Sequence, residues 1–77
     1  MISETIREIM NFKGFTHSLL AKKLGYKTPS GVTTKLQRVN GLRVDTLIKF
    51  MEAMDCEVVI RSKTADKSEW VLTVDDE

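Results

Sequence analysis

The amino-acid sequence predicts a mostly α-helical fold in which four helices are followed by a C-terminal antiparallel β-hairpin. Two observations predict this fold class. Apolar residues recur at spacings of three and four up to residue 56, and from residue 57 onward they alternate at every second position. We therefore expect a helical domain over residues 1-56 and a β-hairpin appendage over residues 57-77, which would serve as a dimerisation element of the same domain.

The chain is short, and its core is expected to be marginal. Its 77 residues make one domain, and a domain of this size buries only about 60% of its unfolded surface. We expect association with a second copy of the chain to add to this core. Apolar residues make up 42% and charged residues 30%, which is typical of a soluble globular protein.

Several absences from the sequence predict a cytoplasmic protein. No apolar run approaches the roughly 18 residues of a membrane-spanning helix. The N-terminus carries an acid where a secretory signal has basic residues. Cys56 has no second cysteine with which to form a disulfide, which suits a reducing compartment.

The first two helices have recognisable starts and stops. Ser3 is expected to cap the first helix and Gly14 to end it. Thr16 is expected to cap the second helix and Gly25 to end it. The inward apolar positions are Ile6, Ile9 and Met10 in the first helix and Leu20, Ala21 and Leu24 in the second.

The third helix is predicted over "TPSGVTTKLQR", with Thr28 as the N-cap and Pro29 at the first helical position. At 100° per residue, the inward side chains are Val32, Leu36 and Val39. The outward side chains are Ser30, Thr34 and Gln37, with Thr33 and Arg38 on their flanks. These outward side chains are small hydrogen-bonding groups, and Gly31 is expected to leave room for a close approach.

The fourth helix is predicted to end at Met54 or Asp55. Its inward positions are Val44, Leu47, Ile48, Met51 and Met54.

The hairpin is predicted from "EVVIRS" and "EWVLTV", with the turn near residues 65–67. One face is expected to carry Val58, Ile60, Trp70, Leu72 and Val74, and the other Val59 and Val71. A lone two-stranded hairpin is marginal in water, so we expect it to pack on the helices, pair with another copy, or both. The candidate dimerisation residues are Val59, Trp70, Val71 and Leu72.

The charges are unevenly distributed along the chain. Residues 1–56 hold nine basic residues and five acids, whereas residues 57–77 hold three basic residues and six acids. From Lys13 to Arg43 there are seven basic residues and no acid. A one-sign segment of this kind attracts polyanions such as nucleic acids, although an ordinary solvated surface also explains it.

The central segment "FTHSLLAKKLGYKTPSGVTTKL" resembles the helix-turn-helix of the phage repressor and Cro class, the xenobiotic-response-element type of bacterial regulator. The match rests on Ala21, on Leu24-Gly25 at the turn, and on Val32. The segment "RVDTLIKFMEAMDCEVVI" is similar to the following helix of that class, and the resemblance covers residues 3 to 56. Two departures are one extra residue in the turn and His17 where the class usually has Gln.

This resemblance implies a repressor-like helix-turn-helix domain whose third helix enters the major groove of double-stranded DNA. The candidate base-contacting residues are Ser30, Thr34, Thr33 and Gln37. The candidate DNA-backbone contacts are Thr16, His17, Ser18, Lys27, Lys35, Arg38 and Arg43. The function expected is that of a small homodimeric transcriptional regulator, a repressor, that binds DNA sequence-specifically.

The alternative left open is a protein-interaction module, such as an antitoxin or inhibitor that covers a protein partner. The acid-rich end "VDDE" and the two-faced hairpin suit that role. Catalysis is not expected, because one His, one Cys and scattered acids offer no nucleophile and base pattern. No metal, cofactor or membrane association is expected.

Overall fold

The computed structural model describes residues 1–74, and the final three residues, which include the acids of "VDDE", lie outside the described part of the chain. The four helices are α1 (Ile2–Lys13), α2 (His17–Leu24), α3 (Ser30–Leu36) and α4 (Val44–Ala53). The strands β1 (Val58–Arg61) and β2 (Glu69–Leu72) form one antiparallel hairpin. The expectation of a mostly helical chain with a C-terminal hairpin is confirmed.

One hydrophobic core joins the helices. The buried residues of this core are Ile6, Met10, Leu20, Ala21, Val32, Leu36, Phe50, Met51 and Met54. Phe50 is fully buried and was not among the expected core positions. No helix within residues 1–74 has the length and apolar character that crossing a membrane requires.

The predicted boundaries between α1 and α2 are confirmed. Gly14 ends α1 at φ 78° and Gly25 ends α2 at φ 80°, in the left-handed region that glycine adopts at low cost. The hydroxyl of Thr16 accepts a hydrogen bond of 3.1 Å from the backbone N–H of Leu19. These signals are local in sequence, which is why they could be recognised without a structure.

The expected cap at Ser3 is wrong. Helix α1 begins at Ile2 without a side-chain cap, and Ser3 lies buried inside its first turn. Its hydroxyl donates to the carbonyl of Arg38, and its backbone N–H donates to the carbonyl of Val39 at 3.0 Å. Ser3 therefore ties α1 to the segment that follows α3.

Helix α3 is shorter than expected at both ends. Pro29, not Thr28, is its N-cap, since the Pro29 carbonyl accepts the first helical hydrogen bond, from Thr33 N–H at 3.1 Å. The helix ends at Leu36 because Ser3 of α1 donates hydrogen bonds to the carbonyls of Arg38 and Val39, which follow the helix. Val39 therefore lies beyond the helix and is 47% exposed, instead of pointing inward as expected.

The prediction that Val44 points inward is also wrong. Val44 is 60% exposed, although it lies on the apolar face of α4. It is the first residue of that helix, and its side chain does not pack on the core, whereas those of Leu42 and Leu47 on either side of it do.

The pairing of the two strands agrees with the predicted faces of the hairpin. Val58 pairs with Leu72, Val59 with Val71, and Ile60 with Trp70, so the two predicted faces are confirmed. The strands pack mainly on each other, although Val58 at the base of β1 also contacts the helical core.

Candidate nucleic-acid interface

The outer face of α3 is polar and open to solvent. Val32 and Leu36 are buried and fix the inner face of the helix against the core. Ser30, Thr34 and Gln37 are exposed on the opposite side. The short helix is therefore held by two apolar anchors while these three polar side chains remain accessible.

The hydroxyl of Thr33 is turned toward the protein. It donates to the carbonyl of Pro29 at 3.3 Å and lies 2.7 Å from Nδ1 of His17. The contact engages Nδ1 of His17, and no hydrogen bond within residues 1–74 engages its Nε2. His17 and Thr33 thus link the start of α2 to α3, and Thr33 would have to give up this link to reach a base.

The other three base-contact candidates differ in whether their side chains form hydrogen bonds within the protein. Ser30 Oγ lies 2.6 Å from the hydroxyl of Thr28, so it is exposed but oriented. Within residues 1–74, no side-chain hydrogen bond engages Thr34 or Gln37. These two side chains are the freest groups on the outer face.

Gly31 does not provide the expected room for a close approach of DNA, because the ring of Tyr26 occupies the space beside it. A Cβ at this position would lie 2.7 Å from Cδ2 of Tyr26, which is closer than van der Waals contact allows. Nζ of Lys35 lies 5.5 Å from the centroid of the same ring, in the range of a cation–π contact. Tyr26, in the turn between α2 and α3, therefore packs along α3. No role was expected for Tyr26 from the sequence.

Three of the predicted backbone-contacting cations come together at the C-terminal end of α3. They lie around an open cleft of about 270 Å³ between α3 and the start of α4, lined by Thr34, Lys35, Arg38, Gly41, Leu42, Arg43 and Thr46. Arg43 is paired with Asp45 at 3.3 Å, and both side chains are largely in solvent. A surface pair of this kind is weak, so Arg43 can exchange its carboxylate for another anion.

Of the remaining backbone candidates, Ser18 and Lys27 lie near the start of α3, whereas Thr16 and His17 line a depression beside α1 at the start of α2. Ser18 and Lys27 line a separate open cleft between α2 and the turn, which extends to Thr28 and Pro29. Thr16 accepts a hydrogen bond from Leu19 N–H, which leaves its own hydroxyl proton free to be donated. Hydrogen-bond donors and cations therefore lie near both ends of the polar face.

Helix α1 fixes the segment that carries Arg38. Besides the two hydrogen bonds of Ser3, the guanidinium of Arg7 donates to the carbonyl of Leu36 at 2.9 Å, and Ile2 N–H donates to Oδ1 of Asn40 at 3.2 Å. Arg7 thus stabilises the end of α3, where helical carbonyls lack partners. The sequence offered no signal for these contacts, because they join residues 29 to 38 positions apart.

Cys56 and His17 do not contact each other. His17 bonds to Thr33, whereas Sγ of Cys56 lies 3.6 Å from the carbonyl of Met54, so these two groups have different partners. Among the described residues, no group of three or more His, Cys, Asp or Glu side chains could hold a metal ion.

The candidate dimerisation residues lie on the hairpin. Val59, Trp70 and Val71 are exposed, and Leu72 is half-buried near the base. Both faces of the hairpin therefore present apolar side chains to solvent.

Comparisons with protein-family models, with curated proteins and with solved structures found no match to this chain.

Proposed function

We propose that this protein is a small transcriptional regulator, a repressor, that binds double-stranded DNA sequence-specifically through a helix-turn-helix formed by α2 and α3. The observation that carries the proposal is the polar, exposed face of α3 lying between clusters of cations, in a segment from Lys13 to Arg43 that contains no acid. The resemblance of this segment to the phage repressor and Cro class supports the same function.

Base reading would fall to the exposed face of α3. With this helix in the major groove, Thr34 and Gln37 are the side chains free to turn toward base edges, and Ser30 is oriented beside them. Gln can bond bidentately to adenine, whereas Ser and Thr accept several bases. We therefore expect a recognition site with one strongly preferred base pair and looser neighbours.

Phosphate contacts would hold the helix in the groove. Lys35 and Arg38 face the cleft at the end of α3, and Arg43 would exchange Asp45 for a phosphate. At the start of α2, the free hydroxyl proton of Thr16 would be donated to a phosphate on the opposite side of the groove. Nε2–H of His17 would do the same in the tautomer whose Nδ1 accepts from Thr33. Contacts of this type position a protein on DNA without reading its sequence.

A helix of seven residues reads few bases, so we propose that the protein acts as a homodimer. Two copies would read a roughly palindromic site whose half-site centres lie about 34 Å apart. The exposed apolar hairpin supplies a surface for this association.

The test is the salt dependence of binding to duplexes selected from a random pool. We expect log K to fall with log salt by about 0.9 per phosphate neutralised. Arg38→Ala should lower this slope by about one contact per copy, whereas Lys49→Ala, which removes the same charge from an exposed position on α4, should leave it unchanged. Equal slopes for both variants, or no salt dependence, would contradict the proposed interface.

A companion variant separates sequence reading from phosphate binding. Thr34→Ala should leave the salt slope unchanged and reduce the preference for the selected site over random duplex. A uniform loss of affinity for both duplexes would remove Thr34 from the base-reading set.

One observation favours the alternative of a protein-interaction module. The hairpin exposes apolar residues on both faces, which is what an antitoxin or inhibitor would use to cover a protein partner. Retention on heparin or random duplex at low salt supports the regulator. Flow-through together with a stoichiometric complex with another protein supports the alternative.

A further inference from the structure

A groove between α1 and α4 lies outside the proposed DNA-facing surface. This groove is an open depression of about 480 Å³ lined by Met1, Ile2, Thr5, Ile6, Ile9, Asn40, Leu47, Met51, Glu57 and Val58. None of these residues belongs to α2 or α3. A partner bound in the groove would therefore leave the polar face of α3 free.

One face of the hairpin continues the surface of this groove. Val58 lines the groove and lies on the same face of the hairpin as Ile60 and Trp70. Farther from the helices, Ile60 is 49% exposed and Trp70 is 57% exposed. The chain thus carries an open apolar depression and, beside it, a projecting apolar ridge.

We infer that the occupant of the groove is a second copy of this chain, with Ile60 and Trp70 of each copy inserted between α1 and α4 of the other. Such an exchange is symmetric, because each copy offers the same ridge and the same groove. The inference rests on the homodimer of the proposed function but not on DNA binding.

The surface area that this exchange would bury is large enough for a specific dimer. An aromatic side chain buries about 150–250 Å² when it is enclosed. Two inserted Trp70 side chains, two Ile60 side chains and the walls of two grooves would cover an area on the order of the 1,000 Å² that a specific interface requires. A one-sided contact would cover half of this area and would be too small to persist.

The charges around the two features are complementary. The loop beyond Ile60 and Trp70 carries Lys63 and Lys67 against one acid, Asp66, whereas the charged residue that lines the groove is Glu57. Within residues 1–74 the ion pairs are Arg43–Asp45 and Arg61–Glu69, so the two lysines and Glu57 are not ion-paired inside one copy. The approach of a basic loop to a groove with an acid in its wall would favour the association.

The first test is sedimentation of the full chain without DNA. The wild-type protein should be a dimer at micromolar concentration, and Ile2→Glu should weaken the dimer by at least about 100-fold, as expected for the loss of a central apolar contact. Phe12→Glu is the matched control, because Phe12 is 89% exposed on the same helix and does not line the groove. Circular dichroism should give the same helix content for all three chains.

The second test uses Trp70, which is the single tryptophan of the chain. In the wild type, the emission of Trp70 should shift to shorter wavelength as the protein concentration rises through the range of dimer formation. Phe12→Glu should show the same shift. Ile2→Glu, which keeps the ridge and loses the groove, should show no shift at the same concentrations, and a wild-type shift in this variant would contradict the insertion of Trp70 into the groove.

The outcomes distinguish this inference from the proposed function. If Ile2→Glu dimerises as tightly as the wild type, the groove assignment is overturned while the homodimer and DNA binding stand. A wild-type monomer at high micromolar concentration overturns both the groove assignment and the homodimer, and retention on heparin then still reports DNA binding separately. Equal weakening by Ile2→Glu and Phe12→Glu also overturns the assignment.

Discussion

At the scale of single residues, the contact between Gly31 and Tyr26 determines how the turn meets α3. The ring occupies the space that any Cβ at position 31 would need, 2.7 Å from Cδ2 of Tyr26. This contact keeps the turn and the polar face of α3 in a fixed relation.

We predict that Gly31→Ala destabilises the protein by about 1–3 kcal/mol, the usual effect of overpacking. In a Tyr26→Ala background the sign should reverse. Alanine is a better helix former than glycine by about 1 kcal/mol, and the clash is then gone. Urea unfolding of the four chains measures both effects. The same destabilisation in both backgrounds would show that the ring is not the obstacle.

Asp66 in the hairpin loop provides a second prediction at this scale. Hydrogen bonds from the side chains of Thr64, Ser68 and Ser62, in decreasing order of effect, hold the pKa of Asp66 below its ordinary value. Since the folded pKa is lowered, the stabilisation is present above the unfolded pKa and is lost as pH falls through the folded pKa. The loop should therefore loosen only in acid.

Carboxyl NMR titration checks the cause of this shift. Thr64→Ala should move the pKa of Asp66 back toward its ordinary value, because the largest contribution is removed. Thr73→Ala, which alters a hydroxyl outside the loop, should leave the titration unchanged. An unchanged pKa in Thr64→Ala would assign the shift to another group.

At the scale of elements, α1 fixes the C-terminal end of α3. Four hydrogen bonds from Ile2, Ser3 and Arg7 reach the segment from Leu36 to Asn40. Ser3 contributes two of the four and is buried. The position of Arg38, on which the proposed phosphate contact depends, is thus determined by a helix that would not itself contact DNA.

We predict that Ser3→Ala costs about 1–3 kcal/mol of unfolding free energy, because the carbonyl of Arg38 loses its hydroxyl donor in a part-buried site. The matched control is Ser18→Ala, an exposed serine in another helix, for which we expect a change within about 0.5 kcal/mol. Chemical denaturation measures both. Equal effects would mean that the hydroxyl of Ser3 contributes nothing specific.

Whether a feature could be predicted from the sequence depended on the range of the interaction behind it. Gly14, Thr16 and Gly25 act on the backbone within a few residues, and the alternation of apolar residues determined the two faces of the hairpin. The errors at Ser3, Val39 and Gly31 each involve a contact made by the folded chain. Ser3 has the residue type and position of an N-cap in the sequence, but in the folded chain its hydroxyl donates to the segment after α3. Gly31 has no side chain and so suggests free space, but in the folded chain Tyr26 occupies that space. The composition of the outer face of α3 could be predicted, but the hydrogen bonds of Thr33 could not.

At the scale of the whole molecule, the chain is extended by its hairpin. The radius of gyration is 13.4 Å, whereas a compact domain of this length has about 11.5 Å. The longest dimension is 44 Å and the shortest is 23 Å. A two-stranded hairpin with apolar residues on both faces is marginal by itself, so this shape favours an assembly in which the hairpin is covered.

We therefore predict that unfolding depends on protein concentration. If the native state is the dimer and the unfolded state is monomeric, mass action raises Tm by roughly 3–5 °C for each tenfold rise in concentration. Trp70→Glu should abolish this dependence and lower Tm to the value of the isolated monomer, whereas Phe12→Glu should retain it. Calorimetry over a hundredfold range of concentration measures the effect. A constant Tm for the wild type would mean that each copy is stable without its partner, and association would then not explain why the hairpin exposes apolar side chains.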